Sequence, residues 1–126
     1  MRDDDVRAML QHHWAASDAS DFAAEHQIYD EQAVLEYPQS GERIRGREAI
    51  QSSRRAQPDE KRFSVRRVTG TGGFWVSELV VRYGDRPLRV VSIMEIDGGK
   101  VMRETQYFAE PFEPGASRAQ WVEPMA

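Results

Sequence analysis

Four side chains of this sequence can donate or accept a proton and also lie in segments with regularly spaced apolar residues. They are His13, Tyr37, Glu78 and Glu104. An imidazole changes charge near neutral pH, and a phenol can donate a hydrogen bond to a carbonyl or an oxyanion. A carboxyl group becomes a usable acid or base when burial raises its pKa. If these groups share one cavity, we expect acid–base chemistry that needs no cofactor.

Each of these side chains also has a purely structural interpretation. His13 could flank the apolar face of a helix and satisfy one hydrogen bond, and Tyr37 could line a wall with its hydroxyl in water. The two glutamates could form salt bridges with Arg54, Arg82 or Arg103. They would lie outside altogether if the strand register differed by one residue.

The composition excludes several classes of function. The 126 residues include 17 basic and 21 acidic side chains, giving a net charge of -4, and both signs are spread along the chain. Nucleic acid is therefore not an expected partner, because phosphate binding requires a basic surface. The absence of cysteine removes disulfides, thiol nucleophiles and thiolate metal sites. A chain of this length is expected to form one domain, residues 1–126.

No targeting or metal-binding signal is found. The N-terminus carries three aspartates where a secretory leader needs positive charge and an apolar run. No stretch approaches the roughly 18 consecutive apolar residues of a membrane helix. We therefore expect a cytoplasmic protein with no membrane partner. His12 and His13 are adjacent and cannot share a helix face, so we expect no metal site and no other cofactor.

The first half of the chain is predicted to be mainly helical. Val6, Leu10 and Trp14 recur at helical spacing and predict an amphipathic helix over residues 4–17. Asp21 can cap a shorter second helix, on which Phe22, His26 and Tyr29 would share a face. The next predicted elements are a brief strand over residues 34–37, ended by Pro38, and a third helix from Gly46 to about Ala56.

The second half has the composition of an antiparallel meander. Four stretches rich in β-branched and aromatic residues predict strands, and short glycine-containing turns separate them. The strands are expected over residues 61–69, 74–83, 88–96 and 100–108. Three prolines and one glycine prevent regular structure in residues 110–126. We expect Phe112 and Trp121 in this tail to pack against the body or against a partner chain.

Several residue groups in this order resemble one known family. They are the Trp14 to Phe22 hairpin, Tyr29-Asp30, residues 34–38, residues 46–50, and residues 96–108. Over residues 4–109 the chain resembles the nuclear transport factor 2-like superfamily, specifically its SnoaL-like branch. The resemblance implies a cone-shaped α+β roll, also called cystatin-like, of three N-terminal helices against a curved, mostly antiparallel sheet. It also implies an apolar cavity whose rim is formed by residues 34–50, at Tyr37 and the start of the third helix.

The same resemblance argues against two known mechanisms. Ketosteroid isomerases use a tyrosine, an aspartate base and a protonated aspartic acid, and an overlay of the sequences places His13, Tyr37 and Ser92 at those positions. Only Tyr29 matches, as a supporting tyrosine. The aspartate–arginine–aspartate set of limonene-epoxide hydrolases finds no equivalent, because the last three predicted strands contain no aspartate.

Alternation sorts the strand residues onto two faces. If Ser92 faces the cavity, Val90 and Met94 accompany it, and the last strand contributes Glu104, Gln106 and Phe108. The strand over residues 74–83 is then expected to contribute Val76, Glu78 and Val80, so that the two glutamates compete for one proton. The opposite face is also partly apolar, and we expect a second copy of the protein to cover it in a homodimer.

The sequence therefore predicts a pocket for a small, apolar, oxygen-bearing molecule. The predicted catalytic residues are Glu104, Glu78, His13 and Tyr37. The predicted ligand-binding residues are Trp14, Tyr29, Arg54, Val90, Ser92, Met94, Gln106 and Phe108. The reaction would be that of an isomerase, cyclase, dehydratase or hydrolase. The alternative is a small-molecule-binding or dimerisation domain without turnover.

Overall fold

Three helices and one curved sheet make up the protein, whose 126 residues are all described by a computed structural model. The helices are α1 (Asp3–Asp18), α2 (Phe22–Glu25) and α3 (Arg47–Arg55), with short 3-10 turns at His26–Ile28 and Ala116–Arg118. The strands are β1 (Tyr29–Tyr37), β2 (Glu42–Arg45), β3 (Lys61–Thr71), β4 (Phe74–Tyr83), β5 (Arg86–Asp97) and β6 (Lys100–Ala109). The α+β class is confirmed. No helix has the length and apolar character needed to cross a bilayer.

The sheet has six strands in the order β2-β1-β6-β5-β4-β3. The meander from β3 to β6 is antiparallel, as predicted, and β1 joins it as a parallel neighbour of β6. The sheet differs from the prediction in two features. Strand β1 begins at Tyr29 rather than Val34, and β2 was not predicted. The polar residues 30–32 and the charged four-residue β2 lack the apolar alternation by which strands are recognised in sequence.

The long helix α1 lies on the concave face of the sheet. Its buried residues include Val6, Leu10 and Trp14, at the helical spacing seen in the sequence. The indole nitrogen of Trp14 donates a hydrogen bond to the hydroxyl oxygen of Ser77 on β4, at 2.9 Å. The side chain of Arg7 also donates to the carbonyl oxygen of Val68 on β3. These contacts fix the rotation of α1 about its own axis, and so determine which of its side chains face β3 and β4.

The turn between β4 and β5 sets which side chains face the helices. Gly84 has φ of 60°, the left-handed conformation that the first position of a two-residue type II′ turn requires. The two-residue turn pairs Tyr83 with Arg86, and the ladder continues to Ser77 opposite Ser92. Directly paired residues share a face of the sheet. Because Ser92 is buried under the helices, Ser77 is buried with it.

The predicted inward set of β4 was therefore wrong by one residue. Trp75, Ser77, Leu79 and Val81 are buried on the concave face. Val76, Glu78 and Val80, which were expected there, lie on the convex outer face. The predicted inward sets of β5 and β6 agree with the structure, in which Val90, Ser92, Met94, Glu104 and Gln106 are buried.

The short helices α2 and α3 position the charged residues Glu25 and Arg54. Asp21 caps α2 by accepting a hydrogen bond from the backbone N–H of Ala24, and α2 ends at Glu25, which is buried. On α3, Ile50 is the buried apolar residue, and Arg54 follows it by one turn on the same face. The apolar anchor at Ile50 thus directs Arg54 into the space between α3 and the sheet.

The C-terminal segment does not pack on the body of its own chain. Phe112 and Trp121 are 82% and 75% exposed. One of the two predicted locations for these rings is therefore excluded, and a partner chain remains a prediction.

Candidate functional site

A partly open cavity of about 280 Å³ lies between the concave face of the sheet, α1 and α3. Fifteen residues line it, and nine of them are hydrophobic. The lining residues are Trp14, Glu25, Tyr37, Ile44, Ser53, Arg54, Gln57, Lys61, Phe63, Leu79, Val81, Tyr83, Val90, Gln106 and Phe108.

The apolar walls come from the strand residues that the register turns inward. Leu79 and Val81 on β4 lie beside Val90 on β5, and Phe108 pairs with Val90 from β6. Trp14 on α1 covers this surface and stacks on Phe63, with ring centroids 6.0 Å apart. The walls therefore suit an apolar molecule, because they offer it no hydrogen bonds.

The polar lining residues come from separate elements. Glu25 ends α2, Arg54 is in the last turn of α3, and Lys61 opens β3. Tyr37 ends β1 and Gln106 projects from β6. The rim was predicted at Tyr37 and at the start of the third helix, and the structure differs in the part of that helix involved. Residues 53, 54 and 57, at the C-terminal end of α3, line the cavity, whereas the start of that helix does not.

Arg54, which lines the cavity, forms an ion pair with Glu104, which is buried directly behind the lining. Nη2 of Arg54 donates to Oε1 of Glu104 at 2.9 Å, and the Glu104 side chain is 0% exposed. Tyr29 donates its hydroxyl proton to the same carboxylate oxygen, and its hydroxyl oxygen accepts a hydrogen bond from Arg54 at 2.8 Å. Ser92 and Gln106 donate to the other oxygen, Oε2. Both oxygens of Glu104 are thus saturated with donors.

This saturation determines the charge of Glu104. Burial by itself would raise the pKa of this carboxyl group, but Arg54 and the hydrogen bonds from Ser92 and Tyr29 outweigh burial and lower the pKa below its usual value. The expectation that burial raises the pKa of Glu104 was therefore wrong. Glu104 remains ionised and holds Arg54 in place.

Two histidines are buried beside this ion pair in the neutral state. Nδ1 of His13 donates to the carbonyl oxygen of Glu25 at 2.6 Å, while its Nε2 has no hydrogen-bond partner. Burial lowers the pKa of His13 to about 4. Burial, with the nearby Arg54, likewise lowers the pKa of His26 to about 4. His13 does not line the cavity, so it has no access to a molecule bound there.

Glu25 is the carboxyl group that does line the cavity. It is buried, its nearest oxygen lies 3.7 Å from Nη1 of Arg54, and burial raises its pKa despite that guanidinium. A carboxyl group with a raised pKa exchanges its proton closer to neutral pH, which general acid–base catalysis requires. The raised carboxyl pKa that was predicted for Glu104 is therefore found at Glu25.

Tyr37 and Lys61 also contribute polar groups to the lining. Burial raises the pKa of Tyr37, so its phenol keeps its proton and can donate a hydrogen bond into the cavity. Nζ of Lys61 donates to the carbonyl oxygen of Arg54 at 3.1 Å, and burial lowers the pKa of this amine. No three histidine, aspartate or glutamate side chains converge closely enough to hold a metal ion.

The predicted site residues fall into three groups. Six line the cavity: Trp14, Tyr37, Arg54, Val90, Gln106 and Phe108. Five are buried without lining it: His13, Tyr29, Ser92, Met94 and Glu104. Glu78 alone lies on the outer face, where it accepts hydrogen bonds from Arg67 at 3.1 and 2.8 Å. The expected competition of Glu78 and Glu104 for one proton is therefore wrong, because the two carboxylates point to opposite sides of the sheet.

Sequence reasoning missed Glu25, Lys61 and the inward residues of β4. A signal for the last group was present, because a two-residue turn at Gly84-Asp85 requires Ser77 to pair with Ser92. Glu25 carried no such signal. It follows two alanines on a short helix, and the groups that approach its carboxylate, such as Arg54 on α3 at 3.7 Å, come from other elements.

Comparison with known proteins places the chain in a family. The profile of the SnoaL-like domain matches residues 6–104. A crystal structure of a nuclear transport factor 2-like protein of unknown function from Burkholderia xenovorans is 49% identical and superimposes with a TM-score of 0.93, covering 100% of this chain and 99% of that one. Among curated proteins, none matches significantly.

Two further solved structures carry names of enzymes. A putative ketosteroid isomerase from Kribbella flavida is 25% identical, with a TM-score of 0.87 and coverage of 95% of this chain and 89% of that one. An epoxide hydrolase of the limonene-epoxide hydrolase type from Mycobacterium tuberculosis is 20% identical, with a TM-score of 0.66 and coverage of 80% of each chain, and shows the shared fold alone. On the match over residues 6–104, this chain belongs to the SnoaL-like domain family.

Proposed function

We propose that the cavity binds a small, largely apolar organic molecule that bears one or two oxygen atoms. We further propose that Glu25 moves a proton from one atom of this molecule to another. The volume of about 280 Å³ is just below the roughly 300–1,000 Å³ range of sites for drug-sized ligands, so the ligand would be small. The apolar walls would take the carbon skeleton. The oxygen would lie toward Glu25, Tyr37 and Gln106, the groups that can hydrogen-bond it.

One observation carries the catalytic part of this proposal. Glu25 is a buried carboxyl group in the cavity lining whose pKa is raised by burial. As a carboxylate it would take a proton from a carbon next to a carbonyl group, and the protonated phenol of Tyr37 would stabilise the charge developing on the carbonyl oxygen. Glu25 would then return the proton to another atom of the same molecule, so that no co-reactant is consumed. The reaction class is a cofactor-free isomerisation by proton transfer.

Glu104 has a different role in this proposal. It is ionised, saturated with hydrogen bonds and separated from the cavity by Arg54 and Gln106. It positions Arg54, and the positive charge of Arg54 lowers the pKa of Glu25 and so limits the rise that burial causes. The name of the Kribbella flavida relative, a putative ketosteroid isomerase, is in keeping with proton transfer as the chemistry.

A second candidate function is binding without turnover. The network of Arg54, Glu104, Tyr29 and Ser92 satisfies both carboxylate oxygens of Glu104 and the hydroxyl groups of Tyr29 and Ser92 from within the protein. Such self-contained networks also occur as structural supports. In that case the cavity would hold a ligand while Glu25 remained a spectator.

Exchange of carbon-bound hydrogen for deuterium separates the two functions. A panel of small cyclic and aromatic ketones is first screened by thermal shift, and each compound that binds is incubated in deuterium oxide and followed by proton NMR. We expect the natural sequence to accelerate exchange next to the carbonyl group. Glu25→Gln should bind the same ketones and lose at least about a hundredfold in exchange rate, within the usual range for a general base.

The matched control is Glu48→Gln, which removes an exposed carboxylate from α3. It should leave both binding and exchange unchanged. Binding without exchange in the natural sequence would favour the second function. If no ketone binds, or if Leu79→Phe binds the same ketones equally well, the cavity is not the site and both candidates fail.

A further inference from the structure

Only two of the 17 basic side chains are lysines, Lys61 and Lys100, and the rest are arginines. The difference matters chemically, because a guanidinium group keeps its proton in proteins whereas a lysine can lose its proton and become a nucleophilic amine. Lys100 is exposed and donates to the carbonyl oxygen of Gln27 at 2.8 Å. Lys61 is partly buried and lines the cavity. One of the two lysines is therefore placed at the candidate site.

The fold holds the amine of Lys61 in a defined position at the cavity. Lys61 opens β3 and pairs directly with Tyr83 of β4, which also lines the cavity, so the two side chains share one face of the sheet. The amine donates to the carbonyl oxygen of Arg54 at 3.1 Å and lies 5.6 Å from the centre of the Phe22 ring. An unprotonated amine can keep this hydrogen bond and still offer its lone pair to a bound molecule.

The surroundings of Lys61 favour the unprotonated amine. Burial lowers its pKa, the carboxyl group of Glu25 raises it, and the guanidinium group of Arg54 lowers it again, with a lowered pKa as the net result. More of this amine is therefore free base near neutral pH than is the case for an exposed lysine. Desolvation and a neighbouring cation are means by which proteins activate a lysine for attack on a carbonyl group.

Groups that can donate a proton lie in the same lining. Glu25 is a buried carboxyl group with a raised pKa, and Lys61 is among the charges that act on it. Tyr83, the strand partner of Lys61, keeps its phenol proton because burial raises its pKa. An amine, a carboxyl group and a phenol thus reach one cavity from β3, α2 and β4. Attack by the amine and protonation of the departing oxygen are the two requirements for forming an imine.

We propose that Lys61 forms a covalent imine with a small apolar aldehyde or ketone bound in the cavity. The free amine attacks the carbonyl carbon and forms a carbon–nitrogen bond, while the carbonyl oxygen takes a proton from Glu25 and becomes a hydroxyl group. Glu25 carries the two hydrogens of the amine to this oxygen one after the other. The carbon–oxygen bond then breaks and one water molecule leaves, so no oxidant or reductant is needed.

This inference rests on one part of the proposed function, the binding of a carbonyl compound in the cavity. It does not rest on the transfer of a carbon-bound proton by Glu25. The two can therefore fail separately.

Reductive trapping tests the imine. The full-length protein is incubated with cyclohexanecarbaldehyde and sodium cyanoborohydride, and peptide mass spectra locate each adduct, which adds the mass of the aldehyde less one oxygen atom. We expect Lys61 to be labelled at least about tenfold faster than Lys100, since each unit by which a pKa is lowered gives about tenfold more free amine. The N-terminal amine reacts independently of the cavity and is followed on its own peptide.

Three variants show whether the reaction depends on Lys61 and on the cavity. Lys61→Arg can still donate to the carbonyl oxygen of Arg54, so it should bind cyclohexylmethanol, the unreactive alcohol of the same skeleton, in a thermal shift assay. Its labelling should fall to that of Lys100 and the N-terminal amine. Lys100→Arg is the matched control and should leave the labelling of Lys61 unchanged. Leu79→Phe, which fills part of the cavity, should weaken binding of the alcohol and labelling of Lys61 together.

The outcomes distinguish this inference from the proposed function. Binding of the alcohol with equal labelling of Lys61 and Lys100 would overturn the imine and leave the cavity as a binding site. Equal labelling of Lys61 in Leu79→Phe and in the natural sequence would also overturn it, because the aldehyde would not react from the cavity. Preferential labelling of Lys61 without any deuterium exchange would support the imine and count against proton transfer by Glu25.

Discussion

The guanidinium group of Arg54 and the carboxylate of Glu104 meet at 2.9 Å at the inner end of the cavity, although 50 residues separate them in the chain. Arg54 comes from the last turn of α3 and Glu104 from the middle of β6. Their pairing joins the helical layer to the sheet just behind the cavity. Each ion is tolerated there only because the other is present.

Removing one member of this pair should therefore be costly. Arg54→Met is expected to lower the free energy of unfolding by about 3–5 kcal/mol, because it leaves Glu104 buried without its counter-charge. Glu104→Gln should cost a similar amount. The double variant R54M/E104Q should cost clearly less than the two single changes together. Denaturant unfolding of the four proteins measures this coupling, and Arg55→Met, at the exposed neighbouring position, is the control.

Replacement of Glu25, unlike replacement of Glu104, is not expected to lower the stability of the protein at alkaline pH. The pKa of Glu25 is raised in the folded protein, so its stabilising contribution is present below the unfolded pKa and is lost as the pH rises through the folded pKa. At about pH 8 the ionised, buried carboxylate opposes folding. Glu25→Gln should therefore equal or exceed the stability of the natural sequence at that pH, whereas Glu104→Gln should fall below it. Thermal unfolding at about pH 8 compares the two, and a large loss of stability in E25Q would contradict the assignment.

The buried histidines should make the protein sensitive to acid. Their pKa values are lowered from 6.5 to about 4, so their contribution to stability is present above pH 6.5 and is lost as the pH falls toward 4. At about 1.4 kcal/mol per unit, His13 alone accounts for a loss on the order of 3 kcal/mol. His13 is faced by Glu104, Arg54 and His26, and burial dominates the effects of these three.

Replacement of His13 tests this sensitivity directly. His13→Gln should flatten the dependence of unfolding free energy on pH between about 7 and 5, relative to the natural sequence. His12→Gln, at the adjacent exposed position, should leave that dependence unchanged. Urea unfolding at several pH values measures the slopes. Equal slopes in all three proteins would show that His13 is not the titrating group.

The hydrogen bond between Trp14 and Ser77 gives a smaller, local prediction. Ser77→Ala should destabilise the fold by about 1–3 kcal/mol, because the buried indole N–H loses its acceptor. In a Trp14→Phe background, which has no N–H to satisfy, the same serine change should cost less. Unfolding followed by circular dichroism measures both differences. Ser64→Ala, at an exposed serine of β3, should have little effect.

Much of the framework could be predicted from local patterns. Val6, Leu10 and Trp14 recur at helical spacing, and α1 lies within one residue of the predicted range at each end. The four strands of the meander were predicted for the same reason, since β-branched and aromatic residues alternate between glycine-containing turns. The short edge strand β2 was missed because its charged residues carry no apolar alternation.

The candidate site was predicted only in part. Alternation on β5 and β6 correctly placed Ser92, Glu104 and Gln106 on one buried face. On β4 the same rule placed Glu78 inward, because alternation defines two faces and leaves open which one meets the core. The charge state of Glu104 could not be predicted either, since it depends on an arginine from another element.

The sequence by itself determined the periodic framework, the SnoaL-like resemblance and the two-sided character of each strand, because these depend on neighbours within a few residues. Tertiary structure alone decided that Glu25 would line the cavity, that Glu104 would be held ionised by Arg54, and that Glu78 would pair with Arg67 on the outer face of the sheet. The physical reason is that burial and counter-charge set the protonation of a carboxyl group, and both come from segments distant in the chain.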